Sequence, residues 1–305
     1  MIKIGLLKYQ NFPWENVIYN AYEEALTSDP NKNFKVNEIF NYPENDDFYD
    51  FIIVIGCKVI AKNELDGMRL KKHCNFLFDM GDHHGDPRKG VEDGYLFFCP
   101  TMEPLKENHY YLPRFVDENL LFPEKDNNIL TLFIDHYNCQ NPNEREISVN
   151  SINEVFRQVS SSKIQLNIFY QTSKGLEVNP LEPEIPPDNK KQIYKYLPFS
   201  EVAEIYRKTH IFLPTHRETL GMVAQEIGAC GGITIMQKWM YPEAVHYQFP
   251  HFFYSPGKNI DFENIKKYIT KKEVIDKFRS HVLGNCGFNN FKTNFINTLL
   301  KLSNK

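Results

Sequence analysis

The sequence predicts an α/β protein with two doubly wound parallel sheets. Strand and helix patterns alternate along the chain, which is typical of parallel strands joined by right-handed crossovers. Some strand patterns are short, continuous apolar runs of the kind buried on both faces of a sheet, such as Phe51–Ile55 (FIIVI) before Gly56. The length of 305 residues suits two domains of ordinary size.

The first part of the chain, residues 1–125, is predicted to form one of these domains. Its strand patterns lie at residues 1–7, 34–40, 51–55, 75–80 and 95–99, and its helix patterns at residues 14–26 and 64–73. We interpret MIKIGLLKYQ as the first strand and not as a signal peptide, because it lacks a long apolar region and a small-residue cleavage site. A polar run at residues 124–128, after Pro123, indicates a hinge.

A second α/β series at residues 126–286 forms the other predicted domain. Its strand patterns lie at residues 129–134, 164–170, 193–196, 211–214 and 232–236, and its helix patterns at residues 149–159 and 199–207 and around Glu226. Residues 287–305 predict a closing helix. Ligands bind open α/β sheets at the carboxyl ends of their strands, so the functional site is expected there.

Composition excludes several classes of protein. Hydrophobic residues make up 42% and charged residues 24%, the balance of a soluble globular chain, and no apolar run is long enough to cross a bilayer. The six cysteines are scattered without a CxxC pair, which argues against a zinc site or a disulfide framework and for a reducing, cytoplasmic compartment. Abundant Asn, Lys, Ile, Phe and Tyr indicate an AT-rich coding sequence, as in a viral protein.

Charge is distributed unevenly along the chain. Residues 1–125 hold 14 Lys and Arg against 21 Asp and Glu, whereas residues 126–305 hold 21 against 18. The slightly basic second part suits a phosphate-bearing ligand. The acidic first part is not the footprint of a general nucleic-acid binder.

The segment that carries most chemical information joins a strand ending at Pro214 to a helix beginning near Leu220. Gly221 at the helix start permits close backbone approach, and the free N–H groups there form an anion site. Glu218 in the turn and Glu226 eight residues later can face one ligand, the first at a sugar ring and the second at ribose hydroxyls. The alternative is that both are ordinary surface carboxylates at a helix start.

Glu218-TLGMVAQ-Glu226, followed by IGACGG, resembles the donor signature of glycosyltransferase family 4 and related retaining GT-B enzymes. That signature is a Glu, seven residues, a second Glu and a small-residue turn. PFSEVAEIYRKTHIFLPT upstream, Pro242–Glu243 downstream and LPRFVDENLLFP in the first half also match, so the resemblance covers roughly two-thirds of the chain.

The resemblance implies a GT-B fold, in which two Rossmann-like domains face each other across a cleft. In such enzymes the closing helix, here residues 287–305, crosses back to the first domain. It further implies transfer of a sugar, with retention of configuration, from a UDP- or GDP-sugar to a hydroxyl acceptor on a glycan or similar molecule. Neither a metal nor another cofactor is implied.

The resemblance also assigns roles to individual residues. Glu218 would contact the transferred sugar, and Glu226 would bind ribose. Backbone amides at Gly221 and Met222, with Leu220 beside them, would hold sugar or phosphate oxygens.

Family members place a histidine from the first domain against the reacting sugar. The matching stretch NFLFDMGDHHGDPRKG offers His83 or His84, and the sequence does not choose between them. The alternative is a polar loop with surface histidines.

One departure from the family concerns the diphosphate. Family enzymes carry Gly-Arg and then a Lys after the first strand of the donor domain, whereas this chain reads FIDHYNCQNPNERE. A charged leaving group needs cationic or amide stabilisation. Either His136 and Arg145 take the place of the missing Arg and Lys, or Arg217 or Lys174 reaches the phosphates.

Other functions stay open at this stage. EIGACGG and the following Lys-Trp resemble a turn of a phage DNA α-glucosyltransferase, which would make hydroxymethylated pyrimidines in DNA the acceptor, although the acidic first part argues against DNA. The missing Arg and Lys would also fit a non-catalytic GT-B module or a nucleotide-sugar epimerase relative. We expect both tryptophans, Trp14 and Trp239, to pack in the core or the cleft and not to form an aromatic cage.

Overall fold

A computed structural model of the chain describes residues 1–8, 13–39, 49–55, 75–79, 96–99, 109–136, 150, 153–154, 157–158, 166–172, 191–195, 197–215 and 222–304. The chain folds into two compact units. The first unit comprises Met1–Phe115 together with Phe288–Lys305, and the second unit comprises Val116–Gly287. The boundary between them therefore lies ahead of the polar run at residues 124–128.

The helices and strands follow the alternation expected from the sequence. The first unit begins with β1 (Ile2–Lys8), α1 (Pro13–Thr27), β2 (Phe34–Ile39), β3 (Phe51–Ile55), β4 (Asn75–Asp79), β5 (Leu96–Cys99) and β6 (His109–Tyr111). The second unit holds β7 (Leu130–His136), β8 (Leu166–Thr172), β9 (Lys191–Lys195), α2 (Phe199–Lys208), β10 (Ile211–Pro214), α3 (Met222–Ala229), β11 (Ile233–Met236), β12 (His251–Phe253), α4 (Phe262–Ile269) and α5 (Lys272–Cys286). Two 3-10 helices, Lys238–Met240 and Glu243–Gln248, follow β11, and α6 (Phe288–Ser303) returns to the first unit.

The first unit is an open parallel sheet with the strand order β2-β1-β3-β4-β5-β6. All five residues of β3 are buried, which confirms that the apolar run FIIVI lies in the sheet interior. Helix α1 covers the sheet with apolar residues three and four positions apart, including Ile18, Tyr22 and Ala25.

Helix α6 completes the core of the first unit. It buries Phe291, Phe295 and Leu299, which lie four residues apart on one face. The ring of Tyr22 in α1 meets those of Phe291 and Phe295 edge-on, at centroid distances of 5.1 and 4.7 Å. The last helix of the chain is therefore part of the first unit, although the whole second unit intervenes in sequence.

The second unit is also an all-parallel sheet, with the order β12-β11-β10-β7-β8-β9. Counted from β7, this is the order 3-2-1-4-5-6 of dinucleotide-binding Rossmann sheets, and the order reverses between β7 and β10. Helices α2 and α3 lie over one face of the sheet, and α4 and α5 contribute Phe262, Val274 and Phe278 to the core over the other. In the described part of the chain, no helix combines the length and apolarity that crossing a membrane requires.

Candidate active site

The candidate site lies in the second unit, where the strand order reverses. Residue Asp135 near the end of β7 pairs in register with Pro214 at the end of β10. Thr215, which follows β10, is fully buried. Nucleotides bind Rossmann sheets beyond the carboxyl ends of the two strands at this point.

Helix α3 follows β10 and begins at this edge of the sheet. Its first residue is Met222, and Glu226 lies four residues on, so both are on the same face one turn apart. The Glu226 side chain is buried, with 8% of its surface exposed. The free N–H groups and the positive dipole end of a helix start attract an anion, and the buried carboxylate one turn away can accept hydrogen bonds from a diol.

Glycine residues terminate helix α3 at its carboxyl end. Gly231 has a φ of 73°, in the left-handed region, and its N–H donates to the carbonyl of Gly228 at 2.8 Å. A Cβ atom on Gly231 would lie 2.4 Å from a methyl carbon of Ile275, so a side chain does not fit there. Glycine at this position therefore lets helix α3 end directly against α5.

Arg279 of α5 binds the same end of α3. Its guanidinium donates to the carbonyl of Ala229 at 2.6 Å, to the carbonyl of Glu118 at 3.2 Å and to the carbonyl of Leu121. A positive charge at a helix carboxyl end is favourable, and these bonds tie α3 to the segment ahead of β7.

A buried amide pair holds α3 from the side. The Gln225 side-chain amide donates to Oε1 of Gln248 at 2.5 Å, and both side chains are 1% exposed. The amide of Gln248 in turn donates to the hydroxyl of Tyr247 at 3.0 Å. Glu226 therefore lies on a helix whose lateral position and carboxyl end are both fixed. The sequence analysis did not find this Gln225–Gln248 pair. The one sign of it in the sequence is that Gln225 directly precedes Glu226, the second Glu of the signature.

Cys230 lies at the end of α3 and is fully buried. Burial raises the pKa of its thiol to about 12, an effect that the Lys125 and Arg279 charges oppose and the Glu226 carboxylate reinforces. The thiol therefore stays protonated at neutral pH and packs as a small apolar group, with no role as a nucleophile.

The structure places three of the predicted site residues. Met222 and Glu226 share one face of α3, and His136 is the last residue of β7. Eight further candidates lie outside the described residues and stay predictions: His83, His84, Arg145, Lys174, Arg217, Glu218, Leu220 and Gly221.

A further basic residue ends a strand at the same edge of the sheet. His136 pairs in register with Thr172 at the end of β8, and Thr172 pairs with Lys195 at the end of β9. Lys195 was not among the residues that the sequence suggested for phosphate binding. No sequence signal could have found it, because strand register is not readable from a single sequence. As for metals, the described residues contain no group of three His, Cys, Asp or Glu side chains able to hold an ion.

Comparison with known proteins identifies the fold. No model of a protein family matches the chain, and no curated protein matches it in sequence. Sucrose-phosphate synthase from Thermosynechococcus elongatus superposes with a TM-score of 0.64 at 9% identity, over 99% of this chain and 99% of its own.

Two further solved structures carry nucleotide ligands. Anabaena HepE, in complex with UDP and glucose, has a TM-score of 0.61 at 12% identity, over 98% of this chain and 99% of its own. UDP-GlcNAc 2-epimerase from Neisseria meningitidis, bound to UDP-GlcNAc, has a TM-score of 0.54 at 13% identity, over 99% of this chain and 100% of its own. These likenesses confirm the predicted fold class, an α/β GT-B fold of two Rossmann-like domains.

Proposed function

We propose that this chain is a glycosyltransferase that transfers a sugar from a nucleoside-diphosphate carrier with retention of configuration, as in glycosyltransferase family 4. One observation carries the proposal: the buried Glu226 lies one turn into a helix that starts where the strand order of a Rossmann sheet reverses. The presence of UDP and a sugar in a solved structure of the same fold supports a UDP-sugar as the first donor to test.

In this proposal the nucleotide lies along the start of α3. The diphosphate binds the backbone N–H groups of Gly221 and Met222 beside Leu220, and the ribose hydroxyls donate to the carboxylate of Glu226. Glu218 contacts the transferred sugar. His83 or His84 of the first unit contributes the histidine that family members place against the sugar.

Cations at the carboxyl edge of the sheet neutralise the diphosphate. His136 ends β7 and Lys195 ends β9, the two strands that flank β8 and its last residue, Thr172. Arg145, Arg217 and Lys174 are the other candidates, from the sequence alone. Backbone amides and such cations act together on the charge that develops as the leaving group departs.

The proposed reaction proceeds on one face of the sugar. The bond between the anomeric carbon and the phosphate oxygen breaks, and its electron pair stays on the diphosphate. The acceptor hydroxyl, on a glycan or similar molecule, bonds to the anomeric carbon from the same side and passes its proton to a leaving phosphate oxygen. Neither a protein nucleophile nor a metal is required.

Two of the scattered cysteines, Cys230 and Cys286, are free and buried, which fits a reducing, cytoplasmic setting.

A nucleotide-release assay tests the proposal. UDP-glucose, UDP-GlcNAc, UDP-galactose and GDP-mannose are incubated with the chain, with and without a mixture of glycans, and free nucleoside diphosphate is measured. We expect one donor to give acceptor-stimulated release, and Glu218→Ala and Glu226→Ala each to reduce it at least tenfold. Glu273→Ala, which removes an exposed carboxylate in α5, is the matched control and should act as wild type. Full activity of both site variants would refute the site.

Epimerisation of a UDP-sugar is the second candidate, because a UDP-GlcNAc 2-epimerase shares this fold over its whole length. An epimerase would convert UDP-GlcNAc to its 2-epimer without any acceptor, and sugar analysis of the products would reveal it. Hydroxymethylated duplex DNA, added as an acceptor in the same assay, is expected not to stimulate release, because residues 1–125 carry a net negative charge.

A further inference from the structure

An exposed tryptophan follows a strand next to the candidate site. Trp239 follows β11 within the first 3-10 helix, and 41% of its surface is exposed. The sequence led us to expect this residue in the core or the cleft. Single apolar residues are common on protein surfaces, so the exposure of Trp239 alone does not indicate a function.

What distinguishes Trp239 is that a buried glutamine holds its ring. The indole N–H donates to Oε1 of Gln237 at 2.8 Å, and the Gln237 amide donates to the hydroxyl of Tyr254 at 3.2 Å. Gln237 is itself buried, with 7% of its surface exposed. The backbone N–H of Tyr254 donates to the carbonyl of Met236 at 3.0 Å, which ties this chain of bonds to the end of β11.

These bonds leave the indole with its polar atom satisfied inside the protein and with apolar surface exposed to solvent. A ring fixed in one orientation loses little conformational entropy when a ligand packs on it. The ligand that fits such a surface has a rigid, flat, weakly polar face, and the C–H face of a pyranose ring is of this kind.

The position of Trp239 relates it to the candidate site. It follows the carboxyl end of β11, the strand adjacent to β10, and β10 leads into the turn before α3. Neighbouring strands lie about 4.8 Å apart, so the end of β11, three residues before Trp239, lies about one sugar length from the strand end that precedes the donor helix. Phe253, 47% exposed, pairs in register with Met236 on the next strand, β12.

We propose that Trp239 is a stacking platform for a pyranose ring of a carbohydrate acceptor. The inference rests on the proposed function, and it makes the acceptor a glycan. An acceptor that extends from the site into solvent needs a platform that is itself partly open to solvent. A donor sugar held between the diphosphate and Glu218 does not.

The first test uses the tryptophan as its own reporter. Trp14 and Trp239 are the only tryptophans of the chain, so Trp14→Phe leaves a single fluorophore at the proposed platform. This variant is titrated with maltose, cellobiose, lactose and diacetylchitobiose, with sorbitol as an open-chain polyol without a rigid face. We expect a saturable change in emission with at least one disaccharide and none with sorbitol. No saturable change with any of the sugars would overturn the proposal, and so would an equal change with UDP alone, which would place the ring in the nucleotide site.

The second test separates acceptor binding from donor binding. Trp239→Leu keeps an apolar side chain but removes the ring, and we expect it to raise the acceptor KM about tenfold, the equivalent of one good ring contact. The donor KM and the slow hydrolysis of donor by water should stay unchanged, and Trp239→Phe should recover part of the acceptor affinity. Phe252→Leu, which removes an equally exposed ring from β12, is the control and should leave both KM values unchanged. An unchanged acceptor KM in Trp239→Leu would overturn the platform.

The two tests separate failure of this inference from failure of the proposed function. If nucleotide release shows no transferase activity, the fluorescence titration still decides whether Trp239 binds sugars. If transfer occurs and Trp239→Leu alters only the donor KM, the function stands and the acceptor assignment is wrong.

Discussion

Replacing Arg279 with methionine is expected to loosen the carboxyl end of helix α3. The guanidinium donates to the carbonyls of Ala229, Leu121 and Glu118, and methionine keeps most of the aliphatic volume without any donor. The variant therefore removes the hydrogen bonds and the favourable charge at the helix end, with little change in packing.

The size of the effect follows from these contacts. Hydrogen bonds from a charged donor contribute about 1.5–3 kcal/mol each when buried, and Arg279 is half-buried, so we expect a total loss of about 3 kcal/mol. For a domain of 150–250 residues, 1 kcal/mol shifts Tm by about 2–4 °C, and the second unit spans residues 116–287. The expected drop in Tm is therefore about 6–12 °C. Arg279→Lys keeps the charge but not the forked geometry, and should lose about half as much.

Thermal unfolding measured by fluorescence in the Trp14→Phe background would check this, because Trp239 then reports on the second unit alone. Lys277→Met is the matched control, since Lys277 is exposed on the same helix. A Tm for Arg279→Met equal to that of the control would show that Arg279 does not anchor α3.

Three further predictions concern pH, backbone conformation and metals. Burial lowers the pKa of Lys125, whose amino group donates to the carbonyl of Thr209, from 10.5 to about 7. Between these two pKa values the unfolded chain binds more protons than the folded chain, so the free energy of unfolding should rise from pH 7 to pH 9. Urea titrations of Lys125→Met should lack this rise. An equal rise in Lys125→Met would contradict the assignment to Lys125. Gly231→Ala should destabilise the protein by about 1–3 kcal/mol, because residue 231 has a positive φ and an added Cβ atom would collide with Ile275. Gly284 has open space around it, so Gly284→Ala should be neutral or stabilising in the same urea assay. Treatment with EDTA should leave nucleotide-sugar turnover unchanged, and activity lost to EDTA but restored by Mg²⁺ or Mn²⁺ would contradict a metal-independent reaction.

Much of the fold was predictable because it depends on local patterns. The run FIIVI had to be an interior strand, and the apolar spacing at residues 288–302 predicted the last helix, α6. The strand before Thr215 and the glycine-rich end of α3 were readable for the same reason. Two strands, β6 and β12, were missed because three residues are too few to show a period of two.

The candidate site was predictable only in part. Glu226 could be found because it belongs to a spaced motif along the chain. Lys195, the Gln225–Gln248 pair and the bond from Trp239 to Gln237 depend on how strands register and how helices pack. Such contacts are set by tertiary structure, so a single sequence does not reveal them.

A crystal structure of the chain with bound UDP-glucose is the decisive test of the proposed donor site at the start of α3. We expect diphosphate oxygens within hydrogen-bond distance of the backbone N–H groups at the start of α3, and both ribose hydroxyls on the carboxylate of Glu226. A nucleotide bound elsewhere, for example at the β1–β3 reversal of the first unit, with Glu226 not touching it, would contradict the account.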